Sequence, residues 1–146
     1  MEIREWLFPP ALTGRPAVGL LAVRLAGGTA FVLHGWPKIQ NPFGWMGADS
    51  AMPGFLQALA ALSEFGGGFA WMLGLLTPVA SLGLLCTMTV ATWTHLMRGD
   101  PFVGRGGPSY ELALVYLTIA GLLLLAGPGR FSLDATLFRG NDARSG

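Results

Sequence analysis

Four apolar stretches, separated by short polar or glycine- and proline-rich segments, dominate the pattern of hydrophobic and polar positions. They run over about residues 17–36, 54–76, 78–97 and 110–126. Each is roughly as long as a helix must be to cross a hydrocarbon core about 30 Å thick. Backbone groups in lipid must bond within their own segment, and no alternating barrel pattern is visible. We therefore expect an all-α fold, an integral membrane four-helix bundle that forms a single domain over residues 1–146.

Helix-breaking residues between the stretches predict how the helices are connected. Thr77 and Pro78 suit an N-cap and a first helical residue, so the second and third helices should form a tight hairpin. Trp36-Pro37 should end the first helix, and Gly127-Pro128-Gly129 the fourth. The predicted order is up-down-up-down, with interfacial segments at residues 1–16 and 130–146. In the second of these, Ser132 could cap a short helix that contains Asp134.

The distribution of lysine and arginine predicts the orientation. The two tails carry Arg4, Arg15, Arg130, Arg139 and Arg144. The two long loops carry Lys38, Arg98 and Arg105. The positive-inside rule then places both termini in the cytoplasm and both loops outside. We expect a protein integral to the plasma (inner) membrane of a prokaryote.

Composition agrees with a membrane protein and narrows its partners. The 146 residues are 52% hydrophobic and 12% charged, about half the charge of an ordinary soluble domain. The net charge of +1 and the lack of a basic run predict no nucleic-acid partner. Cys86 is the only cysteine, which excludes an intrachain disulfide or a CxxC pair. The expected partners are the lipid bilayer and either other protein subunits or further copies of the chain.

Two charged residues lie inside the apolar stretches. Glu64 is the only charge between Pro53 and Leu76, and Arg24 lies within the first stretch. A charge at bilayer depth is costly unless it is paired, so such residues mark functional sites by default. Counting along the helices places Arg24 about 18 Å and Glu64 about 15 Å from the outer helix ends, which predicts an Arg24–Glu64 ion pair. The pair could equally be a structural lock between two helices.

A second polar group is predicted near the outer face, and it consists of His34, Lys38, His95, Tyr110 and Glu111. Two histidines without an attachment motif disfavour haem, and the absence of metal-ligand spacing disfavours a metal site. A quinone suits these residue types better. Arginine, histidine, tyrosine and lysine donate hydrogen bonds to its carbonyls, and Trp71 with Phe31 supplies an apolar groove. Glu64, Glu111 or His34 could carry protons.

Several short motifs occur in an order that resembles the DoxX family of small membrane proteins. They are Arg24-Leu-Ala-Gly-Gly, His34-Gly35 with Lys38, Glu64-Phe-Gly-Gly-Gly, Leu73-Gly74-Leu75 with Thr77-Pro78, Tyr110-Glu111, and the run from Gly127 to Asp134. The resemblance covers roughly residues 20–137 and implies a four-helix integral membrane fold. It also implies that the positions to carry over as characteristic of the family are Arg24, His34, Lys38, Glu64, Tyr110, Glu111, Arg130 and Asp134.

Three functions remain open. The resemblance implies an association with redox chemistry, since relatives include a DoxD-type subunit of a thiosulfate:quinone oxidoreductase. We therefore expect a membrane subunit of a quinone-linked oxidoreductase, with Glu64, Arg24 and His34 as catalytic candidates. The candidates for cofactor binding are Lys38, Trp71, Tyr110, Glu111 and His95. The alternatives are a noncatalytic membrane anchor of a larger redox complex and, less favoured because the bundle is thin, a small-solute transporter.

Overall fold

The structure, a computed structural model, describes residues 11–138, and no strand occurs in that range. Its helices are α1 Arg15–Gln40, α2 Gly54–Leu73, α3 Thr77–Met97, α4 Glu111–Ala126 and α5 Leu133–Leu137. The predicted all-α class is confirmed. Of these helices, α1 and α3 are long and apolar enough to cross a membrane, and α4 is a shorter apolar helix. Most of the interfacial segment predicted at residues 1–16, and half of the one at 130–146, lie outside the described residues.

Facing glycines bring α1 and α2 into close contact. A methyl group added to Gly28 would lie 2.6 Å from the carbonyl oxygen of Gly68, and one added to Gly35 would lie 2.5 Å from the backbone nitrogen of Phe65. Contacts that move forward along α1 therefore move backward along α2, so the two helices are antiparallel. Small residues at such a seam let two backbones approach closely, as is common between membrane helices.

A left-handed turn joins α2 to α3. Gly74 has φ 65° and ψ 41°, and Leu75 N donates to the carbonyl of Ala70, which ends α2 three residues earlier than predicted. Glycine adopts this conformation without a steric penalty, so it is a strong helix terminator. Leu76 follows with φ 47°, and α3 begins at Thr77. We call this end of the molecule, with residues 74–76 and 127–138, the turn end.

The opposite end carries the two long connections, residues 41–53 and 98–110, and we call it the loop end. α1 reaches it by continuing through Pro37 to Gln40, four residues beyond the predicted boundary. A proline near the end of a helix removes a single backbone bond, so the helix can continue past it. The extension matters because it moves Lys38 from a predicted loop into the last turn of α1.

The apolar core lies between the two ends. It consists of Leu20, Phe31, Trp71, Leu84, Met88, Ala120 and Leu123. α1 packs extensively on α2, α2 on α3 and α3 on α4, whereas α1 and α4 touch along a short seam. Phe31 of α1 and Tyr116 of α4 meet in that seam, with ring centroids 4.8 Å apart. Large apolar side chains cover the outside of all four long helices, as a lipid-facing surface requires.

Candidate functional site

Arg24 lies at the turn end and binds backbone carbonyls rather than a carboxylate. Its side chain is 1% exposed. Nε donates to the carbonyl of Trp71 at 2.8 Å, and Nη2 donates to that of Met72 at 3.3 Å. Nη1 donates to the carbonyls of Pro128 and Phe131, both at 2.8 Å. The carbonyls at the C-terminus of a helix have no partner within it, so Arg24 satisfies the end of α2 and fixes the segment that follows α4.

Asp134 binds the N-terminus of α3, as Arg24 binds the C-terminus of α2. Its carboxylate accepts hydrogen bonds from Leu76 N at 2.7 Å and Thr77 N at 2.9 Å. The backbone N–H of Asp134 donates to the carbonyl of Gly74 at 2.9 Å. The expectation that Thr77 caps α3 with its own side chain is wrong, because a carboxylate from the C-terminal segment supplies the acceptors. The predicted short helix capped by Ser132 is present as α5, where Ser132 Oγ accepts from Ala135 N.

Arg24 therefore binds the end of α2 and Asp134 binds the start of α3, on either side of the same turn in the sequence. Asp134 is near enough to interact electrostatically with the guanidinium. A methyl group on Gly74 would lie 2.5 Å from Arg24 Nη2 and 2.5 Å from Ser132 Cβ, so the glycine leaves room for both. We call Arg24, Gly74, Ser132 and Asp134 the turn clamp. The hydrogen bonds of its members position the C-terminal segment.

Glu64 forms an ion pair with Lys38, in the half of the bundle nearer the loop end. Lys38 Nζ lies 2.6 Å from Glu64 Oε1 and 2.7 Å from Oε2. Glu64 is 3% exposed, whereas the Lys38 side chain is 23% exposed. The carboxylate is thus enclosed, and its cationic partner can be reached from outside the bundle. A buried charge in an apolar segment is expected to have such a partner.

The predicted Arg24–Glu64 pair is wrong. Antiparallel packing sets Gly28 beside Gly68, so Arg24 lies level with Met72, about two turns or ~12 Å from Glu64 along α2. The predicted depth of Arg24 was wrong because Trp36 was taken as the outer end of α1. Since α1 continues to Gln40, every residue of that helix lies deeper than the count suggested. Lys38, on nearly the same face of α1 as Arg24, is the residue that reaches Glu64.

Trp45, from the loop between α1 and α2, covers the pair. Lys38 Nζ lies 4.4 Å from the centroid of the Trp45 ring, a cation–π arrangement. The indole N–H donates to the carbonyl of Gln57 at 2.9 Å. Gln57 is buried and binds the same loop through Met46 N and the carbonyl of Met52. These bonds hold residues 45–52 against α2, beside a cleft of about 450 Å³ that has Gln57 in its wall.

His34 and Trp71 have different environments. His34 is exposed, and its Nδ1 lies 2.8 Å from the carbonyl of Ala30, so Nδ1 is the donor. Its ring lies 6.5 Å from that of Tyr116. Trp71 is fully buried, packs edge-on against Phe31 and donates its N–H to Ser81 Oγ at 2.9 Å. Trp71 thus lies in the core, and His34 lies on the seam between α1 and α4.

The remaining predicted site residues lie along the connection from α3 to α4. His95 Nδ1 is 2.7 Å from Asp100 Oδ2, and the ring of Tyr110 is 5.3 Å from that of Phe102. Glu111 begins α4 and is exposed. None of the described contacts of these three residues reaches His34, Lys38 or Glu64. Within residues 11–138, no three metal-ligating side chains come together.

Sequence reasoning missed two partners. Trp45 is not among the residues predicted for the site, although a tryptophan in a glycine-rich loop beside a lysine-bearing helix could have suggested the cation–π contact. Asp134 was predicted only to lie in a short helix capped by Ser132. No local signal connects it to Leu76 and Thr77, which lie 58 and 57 residues earlier in the chain.

The chain is similar to known proteins of one family. The DoxX family model matches residues 19–97, which include Arg24, Lys38 and Glu64. Inner membrane protein YqjF of Escherichia coli (strain K12) is 34% identical over 125 residues, 82% of this chain and 92% of that protein. A Bacillus subtilis (strain 168) protein named "Putative oxidoreductase CatD" is 28% identical over 125 residues, 84% of this chain and 90% of that protein. No solved structure matches the chain significantly. These matches and the apolar helices place the chain in the inner membrane of a prokaryote.

Proposed function

This chain belongs to the DoxX family, and we propose that it is the membrane subunit of a quinone-linked oxidoreductase, with the Lys38–Glu64 pair as its proton-handling group. The observation that carries the proposal is a carboxylate, 3% exposed, that shares both oxygens with one ammonium group inside a lipid-facing bundle. The oxidoreductase name of the Bacillus subtilis relative supports an association with redox chemistry.

In this proposal α1 to α4 cross the inner membrane alternately, with both termini in the cytoplasm. The loop end then faces the outside, and the turn clamp faces the cytoplasm. α2 has 20 residues and α3 has 21, which is enough to span about 30 Å of hydrocarbon. α4, with 16 residues, spans about 24 Å, so the bilayer thins or the neighbouring helices cover its ends. Lys38 and Trp45 then lie at the outer interface, where such side chains are common.

The pair suits proton transfer because its two members compete for the same proton. Lys38 Nζ lies within hydrogen-bond distance of both carboxylate oxygens of Glu64, so a proton can pass between the two groups without a large movement. Reduction of a quinone takes up two electrons and two protons and yields the hydroquinone. The electrons come from a partner redox subunit. Both protons come from water and reach the quinone through the Lys38–Glu64 pair, which is re-protonated after each transfer. Lys38 donates to a quinone carbonyl, and Glu64 accepts a hydrogen bond from the hydroxyl of the hydroquinone that forms.

The surroundings of Lys38 suit a flat aromatic headgroup. Trp45 stacks over Nζ on one side, and the exposed Trp36 continues into a row of aromatic rings with Phe65 and Phe69. Consecutive centroids in that row are 5.7 and 5.2 Å apart. In this proposal a lipid-soluble ring approaches from the lipid along these exposed aromatic side chains. Arg24 has no part in the step, since its donors are taken by four carbonyls at the other end of the bundle.

The second candidate is a noncatalytic anchor for a redox complex. It is favoured by the mutual satisfaction of Lys38 and Glu64, because a fully paired buried charge can simply hold two helices in register. The two candidates differ in whether the pair must contact a ligand. They therefore predict different results for a binding measurement.

The test is titration calorimetry of the purified chain in detergent with decylubiquinone and decylubiquinol. We expect Lys38→Met to weaken binding of decylubiquinone at least ~10-fold, about 1.4 kcal/mol, because a donor is lost. Glu64→Gln should weaken decylubiquinol more than decylubiquinone, since the neutral amide is a poorer acceptor than the carboxylate. The matched controls Arg98→Met and Asp49→Asn change exposed charges and should leave both affinities unchanged. Absence of binding by the folded wild-type chain would exclude the quinone site and leave the anchor.

A further inference from the structure

One arginine at the turn end is exposed although the backbone around it is firmly held. Arg130 is exposed, whereas residues 127–129 just before it are buried. Its backbone N–H donates to the carbonyl of Leu12 at 3.0 Å. Two carbonyls close to it in the chain are bound by Arg24, and a third accepts from Ser132 Oγ at 2.7 Å. The hydrogen bonds of this segment thus fix its backbone and leave the guanidinium of Arg130 exposed.

A second exposed arginine lies on the segment that Arg130 contacts. Arg15 follows Leu12, whose carbonyl accepts the Arg130 N–H, by three residues, and three residues span at most about 11 Å. A methyl group added to Gly129 would lie 3.6 Å from Cα of Ala17, so the same two segments also touch at a second point. The start of α1 and the segment after α4 therefore carry both arginines at the same edge of the turn end.

Neither arginine side chain has a partner among the described residues. No hydrogen bond or ion pair joins either guanidinium to a group within residues 11–138. The other charged residues of the turn end in that range, Arg24 and Asp134, are buried and bind backbone groups. The exposed charges at the loop end have both signs, and they are Asp49, Glu111, Arg98 and Arg105. Across the described chain, the turn end thus differs in exposing positive charge that no described group balances.

Exposed apolar side chains occur on the same two segments as the arginines. They are Leu12, Phe131, Leu133 and Leu137, which are 39–57% exposed. Phe131 directly follows Arg130 in the chain, and Leu12 is its backbone partner. A free inorganic anion gains nothing from apolar neighbours, whereas a lipid contacts cationic and apolar groups together. This edge therefore suits a ligand with a negatively charged head and apolar chains.

We propose that Arg15 and Arg130 bind the phosphate group of an anionic phospholipid, whose acyl chains lie against Leu12 and Phe131. A guanidinium presents a planar fork of donors that matches a phosphate group. A zwitterionic phospholipid has the same phosphate but adds an ammonium group, which the two arginines repel, so the site prefers a lipid with a net negative charge. In the orientation proposed above, this lipid belongs to the cytoplasmic leaflet, which anionic lipids make negative.

A lipid bound in this way joins the start of α1 to the segment after α4. These segments already meet through the Arg130–Leu12 hydrogen bond and the contact of Gly129 with Ala17. A ligand that binds both of them in the native chain adds to its stability. The leaflet rests on the proposed orientation, but the binding depends on neither the orientation nor a quinone. Failure of decylubiquinone to bind would therefore leave this inference standing.

Native mass spectrometry of the purified chain in detergent tests the binding, because it counts the lipids that remain on the folded protein. The probes are dioleoyl phosphatidylglycerol, which is anionic, and dioleoyl phosphatidylcholine, which is zwitterionic. The test variants are Arg15→Gln and Arg130→Gln. The matched controls Arg98→Gln and Arg105→Gln remove the same charge from exposed arginines at the loop end.

We expect the first phosphatidylglycerol to bind the wild-type chain at least ~10-fold more tightly than phosphatidylcholine. Each test variant should weaken its binding at least ~5-fold, and each control less than ~2-fold. Equal affinities for the two lipids, or equal losses in test and control variants, would overturn the inference. An excess of inorganic phosphate should leave the lipid bound. Its complete displacement would show that the arginines take free phosphate, and would overturn the assignment to a lipid.

Thermal unfolding in detergent gives a second measurement. A ligand that binds only the native state raises the midpoint of unfolding. Phosphatidylglycerol should raise the midpoint of the wild-type chain and of the control double variant Arg98→Gln/Arg105→Gln. It should leave that of Arg15→Gln/Arg130→Gln nearly unchanged. The same rise for both double variants would contradict a site at the turn end.

Discussion

Breaking the turn clamp should destabilise the whole chain, although the clamp lies far along α1 from the Lys38–Glu64 pair. The perturbations are Arg24→Met, which keeps most of the side-chain volume and removes the donors, and Asp134→Asn, which keeps the shape and removes the charge. Both residues are buried, at 1% and 4% exposure. Water therefore cannot replace the lost partners, and most of the cost should appear in the free energy of unfolding.

The magnitudes follow from the hydrogen bonds. Arg24→Met leaves four carbonyls without their donor and Asp134 without a neighbouring cation, so we expect a loss of about 3–5 kcal/mol. Asp134→Asn weakens two charge-assisted bonds at the N-terminus of α3, for a loss of about 2–3 kcal/mol. The double variant should lose about 1–2 kcal/mol less than the sum, because Asp134 then no longer leaves an uncompensated charge.

The assay is equilibrium unfolding by sodium dodecyl sulfate in mixed micelles, followed by far-ultraviolet circular dichroism and by tryptophan fluorescence. Arg98→Met and Asp49→Asn, which alter exposed charges, should each change the free energy of unfolding by less than about 0.5 kcal/mol. A loss below about 1 kcal/mol for Arg24→Met, or additivity of the two clamp variants within about 0.5 kcal/mol, would refute the reasoning.

Two further predictions use the same assay. Gly68→Ala adds a methyl group 2.7 Å from the backbone of α1 and should cost about 1–3 kcal/mol. Its control, Gly66→Ala, meets no atom closer than 3.5 Å and should be neutral or stabilising by up to about 1 kcal/mol. Equal effects of the two variants would contradict the close approach of α1 and α2. The losses in free energy of unfolding caused by Arg24→Met and Glu64→Gln should be additive within about 0.5 kcal/mol, because the two residues lie two turns apart and share no partner. A coupling energy above about 1 kcal/mol would instead support a direct Arg24–Glu64 ion pair.

The helices could be predicted because their signals are local. Long apolar runs identified the helical segments, and Gly127 marked the end of α4 correctly. The ends of α1 and α2 were misplaced, each by a few residues. α1 continues past Pro37 because a proline is tolerated near a helix end. α2 ends at Gly74, which adopts a left-handed conformation, although the apolar residues around Gly74 suggested that the helix continues. These small errors mattered because each residue of a helix adds about 1.5 Å to the estimated depth of a side chain, and the Arg24–Glu64 prediction depended on such depths.

That Glu64 needs a partner was also visible in the sequence, because a carboxylate in an apolar segment is costly wherever it lies. Its partner was not. Arg24 and Lys38 both lie on the face of α1 that meets α2, separated by about 21 Å along the helix axis. The choice between them depends on how far α1 slides along α2, and that register is set by the contacts of Gly28 and Gly35.

The sequence by itself determined that this chain is helical, apolar and suited to a membrane, and that charges within its helices require partners. These properties follow from composition and from periodicity along one helix at a time. The tertiary structure alone decided the partners: Lys38 for Glu64, four carbonyls for Arg24, and the first N–H groups of α3 for Asp134. Each of these contacts joins segments at least 26 residues apart, and their geometry depends on packing between helices, for which no single segment carries a signal.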